Sequence, residues 1–184
     1  MASIKLTGDT SGEITISAPA VAGTNTISLP AETGNLLTSK TSGVVIGVHR
    51  VATTSTVSTT NTSPTASGLQ ITITPSSVDS KFLMMTSGGN VFPNNSATEI
   101  HIHHYVNVGG AGASAINNSN TKGLIRQTVS TEGKYMQSTT TLYDANTTSE
   151  LVFEPYFHSS NGASTAYFNQ GTVEVSVVVM EIAG

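Results

Sequence analysis

The chain has 184 residues, a length that suits one domain with a small attached segment. Charged residues make up only 10% of the sequence, the formal net charge is −4, and the seven lysines and arginines are spread singly. Nucleic-acid binding needs several cations on one face, so we expect no nucleic-acid partner. No cysteine is present, which excludes disulfides, thiolate zinc sites and cysteine nucleophiles.

Small hydroxyl residues dominate the composition, with 29 threonines and 24 serines. Threonine favours strands and serine favours turns, while strong helix formers are scarce. The composition therefore predicts an all-β protein. No apolar run reaches the roughly 18 residues of a membrane helix, and the start of the sequence has no apolar run typical of a signal peptide. We expect no membrane insertion.

Residues 1–43 are predicted to form an extended N-terminal segment for attachment and oligomerisation. Short alternating stretches there are separated by Pro19, Gly23, Pro30 and Gly34. Stretches of this length cannot form a core alone, and an isolated short hairpin is only marginally stable. We therefore expect the segment to pair with other copies of the chain or to dock on a partner.

Residues 44–184 are predicted to form an antiparallel, jelly-roll-like β-sandwich. Alternating apolar residues and regularly spaced turn signals support this fold, and no repeat of propeller or solenoid length is visible. The last strand is apolar on both faces from Val177 on, so it is either central and covered on both sides or covered outside by another subunit. The candidate strands are 44–51, 68–74, 81–91, 97–108, 122–129, 135–143, 149–158, 164–169 and 172–182.

Three segments resemble bacteriophage virion proteins. Residues 12–37, with the pattern APAVAGTNT-x-x-LPA at 18–31, resemble a stretch near the start of tail-fibre and related proteins. Residues 68–84 and 177–184 resemble pieces of fibre-tip domains of marine phages. The resemblance implies a virion structural protein without catalytic residues, commonly homotrimeric and assembled in the bacterial host cytoplasm. Residues 1–43 would attach it to other virion proteins.

Four functions remain open at this point. The leading one is a small trimeric tail fibre or spike whose sandwich tip serves host attachment. A capsid head decoration (cement) protein and a carbohydrate-binding adhesion module for a host surface glycan are the alternatives. A small glycan hydrolase is disfavoured: Glu150 and Glu154 share a strand face but lie roughly 13 Å apart, so we predict solvated carboxylates. Glu132 and Asp144 are the other acidic candidates.

Three of the five histidines, which are titratable and can ligate metals, lie in the segment His101-Ile102-His103-His104. On a strand His101 and His103 point the same way and His104 points to the opposite face. Some phage fibre tips hold a metal on the three-fold axis with such a His-x-His pair, so the resemblance implies an octahedral transition-metal site from three chains. The alternatives are ordinary histidines on an exposed polar face, with His104 packed or hydrogen-bonded, and a pH-sensitive interface. We expect no other cofactor.

Asparagine-rich loops on the sandwich are the predicted receptor-binding sites, because recognition concentrates on loops held by a rigid scaffold. Their amide groups suit adaptable hydrogen bonding to a host glycan. The candidate residues are Asn94, Asn95, Asn117, Asn118, Asn146 and Asn161.

Overall fold

The computed structural model describes residues 3–18, 20–21, 23–24, 41–94, 98–116, 123–128, 135–171 and 173–184. The chain divides into two compact units, residues 1–36 and 37–184. The predicted division after residue 43 falls slightly later than this, and Gly43 already donates its backbone N–H to the Ala183 carbonyl of the second unit (2.7 Å). The attachment role of residues 1–43 stays a prediction.

The described part of the first unit contains an antiparallel hairpin of β1 (Ser3–Thr7) and β2 (Glu13–Ser17). The alternation of Ile14 and Ile16 indicated the second strand, whereas the first was not predicted. Lys5 and Glu13 form an ion pair (2.8 Å) between the two strands. Every residue of both strands is exposed, so the hairpin buries no core of its own.

In the second unit, the described residues form twelve strands. Each of the nine predicted strands corresponds to an observed one, and β4, β5 and β9 were missed because they have only two or three residues. The strands are β3 (Val45–Thr53), β4 (Val57–Thr59), β5 (Thr65–Ala66), β6 (Ile71–Ile73), β7 (Lys81–Pro93), β8 (Glu99–Val108), β9 (Ala113–Ala115), β10 (Ile125–Thr128), β11 (Tyr135–Asp144), β12 (Leu151–Ser159), β13 (Ala166–Asn169) and β14 (Val175–Ile182).

These strands form two antiparallel sheets with the order of a jelly roll. The first sheet runs β3-β14-β7-β11, and β13 and β4 extend it beside the end of β7. The second runs β6-β12-β8-β10, with β5 also beside β12 and β9 beside β8. Within these two rows of four, β8 and β10 are consecutive strands that pair with each other, and each other consecutive pair lies in opposite sheets, as in a jelly roll of two Greek keys. The predicted all-β, jelly-roll-like sandwich is confirmed.

The core lies between the inner faces of the two sheets, where alternate residues of each strand are buried. Phe82 of β7 packs on Phe153 of β12 with ring centroids 5.2 Å apart. β14 lies between β3 and β7, as its two-sided apolar pattern predicts. Its inward side chains are buried, whereas its outward ones are only half-buried.

Gly88 and Gly89 bend β7 at the point where it passes from pairing with β14 to pairing with β13. Their φ angles are +84° and +73°, a region that side-chain-bearing residues rarely adopt. A Cβ atom on Gly88 would lie only 2.3 Å from the Glu174 carbonyl oxygen. This close approach requires glycine.

We therefore expect Gly88→Ala to lower the free energy of unfolding by about 3 kcal/mol, through backbone strain and the displaced neighbour together. Gly110→Ala is the matched control, because Gly110 also has a positive φ (+78°) but open space around it. Its expected loss is about 1 kcal/mol. Chemical denaturation of the full chain measures both, and equal losses would show that the contact with Glu174 does not matter.

Candidate functional site

The outer face of β8 and β12 carries a group of histidine and tyrosine side chains. In the antiparallel register, His158 lies opposite His101, and Tyr156 lies opposite His103. Since facing residues point to the same side of a sheet, all four share the outer face. His104 points into the core. The prediction that His101 and His103 lie on one face of β8 and His104 on the other is therefore confirmed.

Three imidazoles form a continuous cluster on this face, which we call the histidine cluster: His101, His103 and His158. The ring centroid of His158 lies 4.6 Å from that of His101 and 5.1 Å from that of His103. His103 Nε2 and His158 Nδ1 are 3.2 Å apart. All three residues are only 5–7% exposed. The alternative of ordinary histidines on an exposed polar face is therefore wrong, because His158 of β12 lies against the other two rings.

Glu99 links the histidine cluster to β10. Its carboxylate lies 3.0 Å from His101 Nε2 and accepts a hydrogen bond from the Arg126 guanidinium. The hydrogen bond from Arg126, followed by the one from His101, lowers the pKa of Glu99 to about 2. Glu99 is therefore ionised at neutral pH and fixes one end of the cluster.

His103 is buried beside the other two imidazoles of the cluster. Burial, and then the neighbouring His158 and His101, lower the pKa of His103 to about 4. His103 is therefore neutral at physiological pH. A neutral imidazole is a competent metal ligand, and His101 and His103 could together offer two nitrogens per chain.

The predicted axial metal site needs three chains and stays a prediction. Among the described residues of one chain, no group of three or more histidine or acidic side chains is arranged to hold a metal ion. The Nε2 atoms of His101 and His103 lie against Glu99 and His158. Binding a metal through these atoms would require both contacts to be given up.

Tyr105 and Tyr156 continue the same face beyond the histidine cluster. Their rings are stacked, with centroids 4.2 Å apart and an angle of 23° between planes. Burial raises the pKa of both phenols. Because each ring covers one face of the other, that face of each ring is not available for stacking on a sugar.

His104 is a structural residue of the core. Its Nε2 lies 2.9 Å from Thr86 Oγ1 and 3.0 Å from Thr139 Oγ1, and its Nδ1 lies 2.8 Å from Thr141 Oγ1. The residue is fully buried, and burial lowers its pKa to about 4. The alternative that His104 is packed and hydrogen-bonded is confirmed.

The acidic candidates that the structure describes differ in burial and in partners. Glu150 is exposed, but Glu154 is buried, so the prediction that both are solvated is wrong for Glu154. Its two carboxylate oxygens accept hydrogen bonds from Gly68 N (2.6 Å) and Gln70 Nε2 (2.8 Å). Asp144 forms an ion pair with Lys81, and Glu132 lies outside the described residues.

A second buried carboxylate, Glu181, lines a cleft at the end of β14. Its Oε1 accepts hydrogen bonds from Ser76 N (2.7 Å), Ser76 Oγ (2.7 Å) and Ser80 Oγ (2.8 Å). Burial opposes ionisation, but these donors together lower the pKa of Glu181 below its ordinary value. The carboxylate thereby holds the turn between β6 and β7.

The three predicted receptor-binding asparagines that the structure describes lie at both ends of the sandwich. Asn94 Oδ1 accepts a hydrogen bond from Thr165 N (2.8 Å), and Asn161 Oδ1 accepts one from Ala163 N (3.0 Å), so both organise loops at one end of the sandwich. Asn146 adopts φ +50° in the turn after β11, at the opposite end. Asn95, Asn117 and Asn118 lie outside the described residues. Their receptor role stays a prediction.

Sequence reasoning missed the partners of the histidines, because they come from other strands. His158, Tyr156 and Arg126 join the face only through the pairing of β12 and β10 with β8. His158 is the single histidine of the stretch Leu151–Ser159, and nothing in that stretch indicates that it lies beside His101 and His103. The predicted alternation on β8 could have located the partners only with the strand register known.

Neither the comparison with protein-family models nor the search of curated proteins finds a match for this chain. Within the part of the chain that the structure describes, no helix is long and apolar enough to cross a membrane. The functional argument therefore depends on the geometry and on the sequence.

The two low histidine pKa values predict acid sensitivity. Below pH 6.5 the unfolded chain protonates His103 and His104, whereas the folded chain does not until about pH 4. Each histidine should therefore lower the free energy of unfolding by about 1.4 kcal/mol per pH unit within this window. Glu99 and Glu181, with lowered pKa values, lose their stabilising contributions only below pH 4.5.

Urea denaturation between pH 6.5 and 4.5 therefore isolates the histidines. His104→Gln should reduce the slope of stability against pH by about one proton, whatever its effect at neutral pH. His49→Gln, at an exposed position, is the matched control. A wild-type slope of zero in this window would contradict the buried, neutral state of both histidines.

Proposed function

We propose that this chain is a non-enzymatic structural protein of a bacteriophage particle, a small homotrimeric tail fibre or spike. Residues 1–43 attach it to other virion proteins, and the jelly roll presents loops for host attachment. The observation that carries the proposal is the N-terminal hairpin, which has an apolar face but no core.

The hairpin carries four aliphatic side chains in two facing pairs. Ile4 lies opposite Ile16, and Leu6 lies opposite Ile14, so all four share one face. They are 52–66% exposed. A two-stranded hairpin is marginally stable in water, and burial of one aliphatic side chain contributes about 1.5–3 kcal/mol. The hairpin therefore gains its stability by docking this face on another surface, as an attachment segment does.

The side chains of the sandwich support a structural role over the alternatives. Glu154 and Glu181 hold loops through short hydrogen bonds, which accounts for their burial without catalysis. The mutual stacking of Tyr105 and Tyr156 disfavours a carbohydrate-binding platform on this face. The resemblance of residues 12–37 to tail-fibre and related virion proteins supports a structural role in the particle.

Virion assembly tests the attachment role. A tagged chain expressed in the infected bacterial host should co-purify with phage particles, and immunogold labelling should mark their tails. Replacing Ile4, Leu6, Ile14 and Ile16 by threonine should reduce incorporation by roughly tenfold or more, because each change removes apolar contact area. Thr7→Ser with Thr15→Ser is the control on the polar positions of the same hairpin. Label on heads would favour a decoration protein, and unlabelled particles would contradict the proposal.

The native mass tests the homotrimer. Light scattering after size exclusion should give about 57 kDa for three chains of 18.9 kDa. A chelator would dissociate the trimer only if a metal on the three-fold axis holds the three chains together. A mass of one chain at every concentration would contradict a self-standing trimer.

A further inference from the structure

The outer face of the first sheet carries an uninterrupted apolar row across four strands. Val48 of β3, Met180 of β14, Leu83 of β7 and Leu142 of β11 lie side by side in the strand register. We call these four residues the apolar row. Neighbouring strands are about 4.8 Å apart, so the row extends over roughly 14 Å.

Further apolar side chains widen the row on both sides. Val178 pairs with Met85 next to it, and Ile182 follows Met180 on the same face of β14. Val48 is 62% exposed and Leu142 is 48% exposed. Exposed apolar side chains are ordinary when scattered, whereas a contiguous patch marks an interaction surface. These side chains lie outside the core that the sandwich buries.

The border of the patch is polar and self-neutralised. Arg50 forms an ion pair with Glu174 on one side, and Lys81 forms one with Asp144 on the other. An apolar centre with a polar border is the ordinary composition of a protein interface. Since each cation has its own anion, this face gives no net charge to attract a highly charged partner.

We infer that the apolar row and its flanking residues are a contact surface between copies of this chain. The inference rests on the self-association in the proposed function and names the surface responsible. A second copy fits for two reasons. The row is apolar across four strands, and interfaces between copies of one chain are more apolar than transient interfaces. The neutral border also lets two chains of net charge −4 approach without repulsion at the contact.

Two double variants of the full chain test the surface. Val48→Lys with Leu142→Lys places charges on the apolar row, and Val48→Thr with Leu142→Thr removes apolar area while keeping good strand formers. Val48 and Leu142 lie on the edge strands β3 and β11 with their side chains exposed, so the substitutions leave the core unchanged. Sedimentation velocity should show the wild type as an oligomer and the lysine variant as the 18.9 kDa monomer. The threonine variant should dissociate at a higher concentration than the wild type.

Val78→Lys with Leu124→Lys is the matched control, because it makes the same charge change at exposed apolar residues away from the row. It should keep the wild-type mass. Circular dichroism and the melting temperature show whether each variant is folded. If the lysine variant does not fold, the oligomeric state of the threonine variant tests the inference instead. An oligomer that both row variants leave intact overturns the inference, as does a wild-type monomer. Incorporation into particles is a separate measurement, so failure here is distinct from failure of the virion role.

Discussion

The rest of the jelly roll depends on the antiparallel pairings β7–β14 and β8–β12 at the centres of its two sheets. Once these registers are set, the period of two along each strand decides which side chains enter the core. Phe82 and Phe153 then meet between the sheets. The same registers assemble the apolar row on one outer face and the histidine cluster on the other. Core and surfaces are thus consequences of one constraint.

Several buried polar groups of the jelly roll have hydrogen-bond partners on neighbouring strands or loops. His104 is surrounded by the hydroxyls of three threonines, and Glu154 and Glu181 accept hydrogen bonds from loop residues. A threonine-rich chain can satisfy such groups without charges, because a hydroxyl both donates and accepts. Cohesion that depends little on exposed ion pairs is insensitive to salt, which agrees with the proposed role in a phage particle.

The sequence predicted the sandwich well because its long strands alternate clearly, as in Leu69, Ile71 and Ile73. It predicted the division of His101 and His103 from His104 for the same reason. It could not predict that His158 completes the cluster, because that depends on a strand pairing between residues far apart in the chain. The burial of Glu154 was missed likewise, since its partners Gly68 and Gln70 come from the loop before β6.

The two-sided apolar character of the last strand allowed two explanations, and the structure separates them in part. β14 is central, yet its outer side chains Val178 and Met180 remain only half-buried, although neighbouring strands lie on both sides. Position in the sheet therefore does not account for apolar residues on that face. The same pattern recurs in Leu83 and Met85 of β7. Two adjacent strands with apolar residues on both faces indicate a surface that is covered in the assembled protein.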